Sequence, residues 1–295
     1  MQLFQVPQHS KRILADIFDL SEELQTTFTK KIYNTLTELA QNELSDFFDT
    51  LERDGNGNIT ENSNTAWVAK IAALEAKLIA AVNSPKYDKP ISDYLLDFGK
   101  VKELNKQLHE NINGITNFQQ LEADLQPKQK YIMQKVMYEL KQGGIKSIFV
   151  EPTKQVLLNA ITFGQSISTA KKNISALYAS ATDTTSTRIN SYIGQITRDA
   201  IYTYNGAINE TIATAYGLDG IAYLGGVVAD SRPFCTHYHG AEIAKKDLKD
   251  ILTKYLGSET LSQGMYKVSP SDYEANFLIY RGGWNCRHVA IPIRL

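Results

Sequence analysis

The chain has 295 residues, 43 % hydrophobic and 21 % charged, and its 31 Lys+Arg against 32 Asp+Glu leave a net charge of -1. That length fits two domains, or one domain with a long helical extension, and the charge balance excludes a strongly basic nucleic-acid binder while allowing a local basic patch. No apolar run reaches the roughly 18 residues that span a bilayer, the opening MQLFQVPQHSKR lacks an apolar signal core, and two cysteines, Cys235 and Cys286, are too few for a disulfide scaffold.

The first two thirds read as helices. From Ile17 to Leu51, apolar residues at Leu20, Leu24, Phe28, Ile32, Leu36, Leu39, Phe47 and Leu51 fall mostly three or four apart, one helical stripe. The Thr, Asp and Asn between them are mediocre helix formers, so the stripe needs a facing surface from the same chain or from a partner. Asp54-Gly55-Asn56-Gly57-Asn58 then breaks the chain. Asp54, Asn56 and Gly57 fit the third, fifth and sixth places of a calcium loop, but Glu52 stands first and Ser63 replaces the bidentate Glu at the twelfth. A plain turn between helices is expected.

A second helix is expected over 64–83, with Trp67, Ile71, Leu74 and Leu78 on one face. Pro85 and Pro90 should bound a short connector, with helices following over 91–111 and 117–142 and ending at Gly143-Gly144. Ile145 to Val150 reads as a strand or extended connector. Pro152 suits the first turn of a helix ending near Gly164, and Ser166 or Ser168 suits the cap of the next. The clearest helix runs from Thr185 to Tyr216, closed by Gly217 and Leu218.

Beyond Gly217 the composition changes. Ile221 to Val228 and Val289 to Ile293 read as two strands that pair, with an amphipathic helix near 244–256 and a polar loop over 257–272 between them. Ile221, Tyr223, Leu224, Val227, Phe234, Trp284, Val289, Ile291 and Ile293 should form a core that needs nothing from the first 145 residues. The expected fold is mainly α with a small α+β C-terminal domain: a helical arm or bundle at 1–145, a helical middle region at 146–217, and the α+β domain at 218–295.

Both cysteines and three of the five histidines fall in two stretches, Asp230 to Gly240 and Arg281 to His288. Thiolate and imidazole are the ligands zinc prefers, and Cys235, His239, Cys286 and His288 make a candidate structural zinc set, with His237 as a competing ligand. A Cys235–Cys286 disulfide and plain packing of two small apolar thiols are the alternatives. Asp230, His237 and His239 also invite a general acid-base reading, but sequence shows no nucleophile beside them; Asp230-Ser231 suits a turn, and Arg232 and Arg287 suit ion pairing with Asp230. His9 and His109 stand alone and read as solvated.

The order Asp230-Ser231-Arg232-Pro233-Phe234-Cys235, His239-Gly240, a helical insert, then Gly282-Gly283-x-Asn285-Cys286-Arg287-His288 resembles the C-terminal signature of the Mu F-like phage head-morphogenesis, or minor head protein, family. Arg198-Asp199-Ala200 and the Tyr-Gly-Leu-Asp-Gly close at 216–220 resemble the helix that leads into it. The resemblance covers about 185–295. Many members carry Cys-Arg-Cys or a second Cys near the first, where this chain has His288 and His237 or His239. The resemblance implies a structural virion protein in the head near the portal vertex, made in the host cytoplasm and acting in head assembly or DNA delivery. It implies portal protein, major capsid protein and other virion proteins as partners, allows a homo-oligomer around the portal, and involves no membrane. It implies no catalytic residue, and no toxin or nuclease domain is expected after Leu295. The rival expectation is a metal-dependent hydrolase or nuclease that uses the Cys/His cluster.

Overall fold

A computed structural model of the protein describes residues 2–60, 64–178, 188–283 and 286–295. The expected helix start at Thr185, the loop position Ser63, and Trp284 and Asn285 of the second motif lie outside these residues. The fold is mainly α with one small antiparallel sheet. In chain order the first elements are β1 (Gln2–Leu3), α1 (Gln8–Asp49), α2 (Asn64–Val82), α3 (Pro85–Leu96), α4 (Phe98–Asn113) and α5 (Gln119–Lys141). A short α6 (Gly143–Ile145) passes through a π-helical turn, Lys146–Val150, into α7 (Glu151–Thr162), then α8 (Ile167–Tyr178) and α9 (Arg188–Ala215). The chain closes with β2 (Gly220–Leu224), α10 (Pro233–Tyr238), β3 (Ala241–Ala244), α11 (Lys245–Leu256), α12 (Pro270–Ala275), α13 (Phe277–Tyr280) and β4 (Val289–Ile293). Among the described residues no helix is long and apolar enough to cross a membrane.

Two compact units form, one from Met1–Gln25, Leu96–Gln134 and Arg198–Leu295, the other from Thr26–Leu95 and Lys135–Thr197. They do not follow the linear division into 1–145, 146–217 and 218–295. Helices α1, α3, α5 and α9 each have residues in both units. Breaks and composition shifts, the signals a linear reading uses, therefore fall elsewhere than the unit boundaries.

In the second unit the stripe on α1 is covered by the chain's own helices. Phe28, Ile32, Leu36 and Phe47 are buried, and the Phe28 ring stacks on Tyr94 at 4.2 Å. The Tyr87 hydroxyl donates to the Leu140 carbonyl at 3.0 Å and Tyr94 to that of Thr197 at 2.7 Å, which satisfies two buried phenols. Pro85 opens α3 and Pro90 lies inside it, so the expected connector is helical. Ile145 to Val150 is also helical rather than extended. The run is apolar because Ile145, Phe149 and Val150 are buried, and Pro152 at the start of α7 needs no N–H there. The Asp54 loop is a turn: the carboxylate accepts from the backbone N–H of Asn56 at 2.9 Å and of Asn58 at 2.7 Å, so its oxygens are spent locally.

In the first unit the strand order is β1-β3-β2-β4, all antiparallel. The expected pairing of the two strands is present: Leu224 faces Val289, Tyr223 faces Ala290 and Ala222 faces Ile291. Strand β2 stops at Leu224, because Gly225-Gly226 follows and Val227 and Val228 turn out to solvent. Every residue of β2 and β4 is buried, since both sheet faces are covered. One face, with Ala222, Leu224, Val289, Ile291 and Ile293, packs against Ile13 and Ile17 of α1, Leu108 of α4 and Tyr202 of α9. The C-terminal core is thus shared with the N-terminal helix, contrary to the expectation of a self-sufficient 218–295. The other face carries Tyr223, whose ring meets Phe234 of α10 at 5.4 Å and Phe277 of α13 at 5.9 Å.

Candidate metal centre

Strand alternation sets the site. Side chains two apart on a strand share a face, so His288, two residues before Ala290, lies on the face of Tyr223, the cross-strand partner of Ala290. The two rings stack, 4.8 Å apart and 3° from parallel. Cys235 arrives from α10. Arg232 is extended, Pro233 opens the helix, and the single turn points Phe234 and Cys235 inward while Thr236 and His237 face solvent. Cys286 comes from the loop before β4, its N–H bonded to the Gly283 carbonyl at 3.2 Å.

The two sulfurs stand 3.8 Å apart as free thiols, and Cys286 Sγ lies 3.8 Å from His288 Nδ1. The ligand atoms of Cys235, Cys286 and His288 all fall within 4.8 Å of one another, and all three residues are buried. Tyr223 Oη is 3.4 Å from each sulfur. Gly282 closes one side: a Cβ there would stand 2.4 Å from Cys235 Sγ, 2.9 Å from Tyr223 Oη and 3.2 Å from Cys286 Sγ. A tetrahedral zinc with bonds of about 2.3 Å to sulfur separates two thiolates by about 3.8 Å. The donor types and the sulfur spacing fit such an ion, and the group is one that can hold a metal.

The four candidate ligands divide. His239 is exposed, its ring 5.8 Å from that of His288 and outside the buried group. It follows the last turn of α10, where its N–H caps the Cys235 carbonyl at 3.0 Å and its backbone turns extended. His237 is exposed, edge-on to Tyr238 at 4.8 Å. Asp230 is also exposed, and Ser231 closes its turn by accepting from the Val228 N–H at 2.8 Å. Sequence reasoning missed Tyr223 as part of the cluster, although its place on an inward strand face was the available signal.

The electrostatics single out Cys286. Its thiol is held well below the ordinary range, first by the hydrogen bond from Cys235, then by His288 and the charge of Arg281, against the opposing effect of burial. The same shared hydrogen bond, with burial, pushes Cys235 up. Burial first, then the adjacent thiols, raises the Tyr223 phenol well above its usual value, so without a metal it is a neutral donor. Arg281 is itself buried, 1 % exposed, with φ 52; its Nη1 donates to the Tyr202 carbonyl at 2.5 Å, while Nε and Nη2 have no hydrogen-bond partner among the described residues.

A cavity of about 410 Å³ in the same unit is lined by Glu210, Lys245, Glu274, Phe277 and other residues, none of them a donor of this cluster. No family model, curated protein or solved structure matches the chain.

Proposed function

We propose that this protein is a structural component of a phage virion, a minor head protein of the Mu F-like kind that sits at the portal vertex and acts in head assembly or DNA delivery. In this reading Cys235, Cys286 and His288 hold a structural zinc that pins the two motif stretches together. The observation that carries it is the meeting of both stretches at one buried point, with the sulfurs 3.8 Å apart beside β2 and β4. Burial of all three donors favours a clamp, because a catalytic zinc keeps a position open to water. The hydrolase or nuclease reading has no comparable support. Portal protein, major capsid protein and further copies around the portal are the partners this reading names.

Electron microscopy of intact particles tests the assignment. Density for the chain at the portal vertex is expected, and density at neither portal nor capsid defeats it. Metal analysis of the purified chain tests the zinc separately. Replacing His288 by Ala should impair folding or head incorporation without abolishing any turnover.

A further inference from the structure

We infer that the Tyr223 hydroxyl is the fourth donor of the metal site, so that Tyr223, Cys235, Cys286 and His288 close the coordination sphere and His239 stays outside it. The inference rests on the metal reading above.

Geometry carries it. Bonds of about 2.3 Å to sulfur and about 2.0 Å to oxygen or nitrogen give a tetrahedron with sulfur-to-oxygen edges of about 3.5 Å. Tyr223 Oη stands 3.4 Å from both sulfurs at once, and the sulfurs are 3.8 Å apart, so these three atoms already form one face of that tetrahedron. His288 Nδ1, 3.8 Å from Cys286 Sγ, would take the remaining corner once its ring, which lies parallel to Tyr223 in the metal-free chain, tilts toward the ion. Gly282 is where a side chain would fill the space between these donors: its missing Cβ would meet both sulfurs and the hydroxyl within 3.2 Å. His239, exposed at the end of α10, would have to turn inward to compete.

Charge balance agrees with that donor set. Two thiolates and a phenolate exceed the charge of a divalent cation by one. The Arg281 guanidinium is buried beside Cys286, and its Nε and Nη2 lack hydrogen-bond partners among the described residues. An anionic metal centre is the counter-charge such a buried cation needs. On binding, the thiol and phenol protons leave to solvent, and the metal's charge replaces them.

The test uses the full chain, stripped of metal with a chelator and titrated with zinc at neutral pH. Zinc itself is silent in the near ultraviolet, so ionisation of one tyrosine per zinc appears there as a tyrosinate difference band. The wild type should give that band. Tyr223→Phe should lose it and bind zinc at least about tenfold more weakly, while His239→Ala should keep both the band and the affinity. Zinc binding by the wild type with no tyrosinate band, or with unchanged affinity in Tyr223→Phe, would leave the metal site standing and overturn Tyr223 as a ligand. Loss of affinity in His239→Ala would overturn it in favour of His239. A wild type that takes up no zinc would remove both this inference and the metal reading. Because the band is read on the wild type, a Tyr223→Phe chain that fails to fold leaves the test intact.

Discussion

His109 of α4 and Asn209 of α9, both buried, are joined by a 2.8 Å hydrogen bond between Nε2 and Oδ1. Asn113 Nδ2 approaches the other ring nitrogen at 2.9 Å and also donates to the Pro292 carbonyl of β4 at 3.0 Å. An amide N–H aimed at Nδ1 makes that nitrogen the acceptor, so the proton sits on Nε2 and the ring is neutral. Far from being solvated, His109 ties two helices to the sheet of the first unit.

A pH dependence follows from that pairing. Burial lowers the His109 pKa to about 4, opposed in part by the bond to Asn209. The unfolded chain, with an ordinary histidine near 6.5, binds more protons between these values. The stability His109 protects is therefore present above about pH 6.5 and is lost as pH falls towards 4, by about 3 kcal/mol at most. Denaturant midpoints of the wild type and His109→Gln between pH 7 and pH 4 isolate this contribution from the carboxylates. The wild type should lose more over that range, and parallel curves would refute the assignment.

What the sequence showed was whatever depends on local period. The stripe from Leu24 to Leu36 is buried as expected, and Gly217, at φ 60, takes the left-handed close after α9. The pairing of β2 with β4 and the meeting of Cys235 with Cys286 were also legible, since two apolar runs flanked by the same residue types invited it. Strand β3 was not: Ala241–Ala244 is only four residues and leads straight into α11. His109 misled because its neighbours Gln107, Glu110 and Asn111 are polar and its partner Asn209 lies far along the chain. Nor does spacing tell which histidine turns inward. His288 is held by β4, whereas His239 falls just past a helix end.

Gly282 should tolerate no side chain. Its Cβ would press on the sulfur of Cys235 and the hydroxyl of Tyr223, both locked in the core. Gly282→Ala should cost about 1–3 kcal/mol by overpacking. Gly226→Ala, where an added Cβ meets nothing within 4 Å, should change stability by less than about 0.5 kcal/mol. Thermal unfolding of the two variants side by side decides it, and equal effects would mean that the cluster has slack.

At Gly206 the usual sign of a helix substitution should reverse. Alanine normally gains about 1 kcal/mol over glycine inside a helix. In α9, however, a Cβ at this position would lie 2.3 Å from the Leu278 carbonyl oxygen and 2.8 Å from the Ile279 Cα. Those are backbone atoms of α13 and cannot rotate away. Gly206→Ala should therefore destabilise by about 1–3 kcal/mol. A gain in the denaturant midpoint would show that α13 shifts freely.

The last prediction concerns the dependence of the C-terminal strands on the N-terminal helix. Ile17, 1 % exposed, packs with Ala222, Leu224, Val289, Ile291 and Ile293, and β1 adds Gln2 and Leu3 to the edge of β3. A fragment of residues 218–295 would expose that sheet face to water and leave β3 without its outer strand. The fragment should fail to fold alone, unlike the whole chain. Within the whole chain, Ile17→Ala removes buried methyl and methylene groups and leaves a cavity, at a cost of about 2–5 kcal/mol. Because the contact is with β2 and β4, the loss should be felt more than 200 residues away in sequence. Amide exchange at Ala222, Leu224 and Ile291 should therefore quicken in Ile17→Ala. Unchanged protection at those amides, or a folded 218–295 fragment, would show that the sheet holds itself together and that the N-terminal helix merely leans on it.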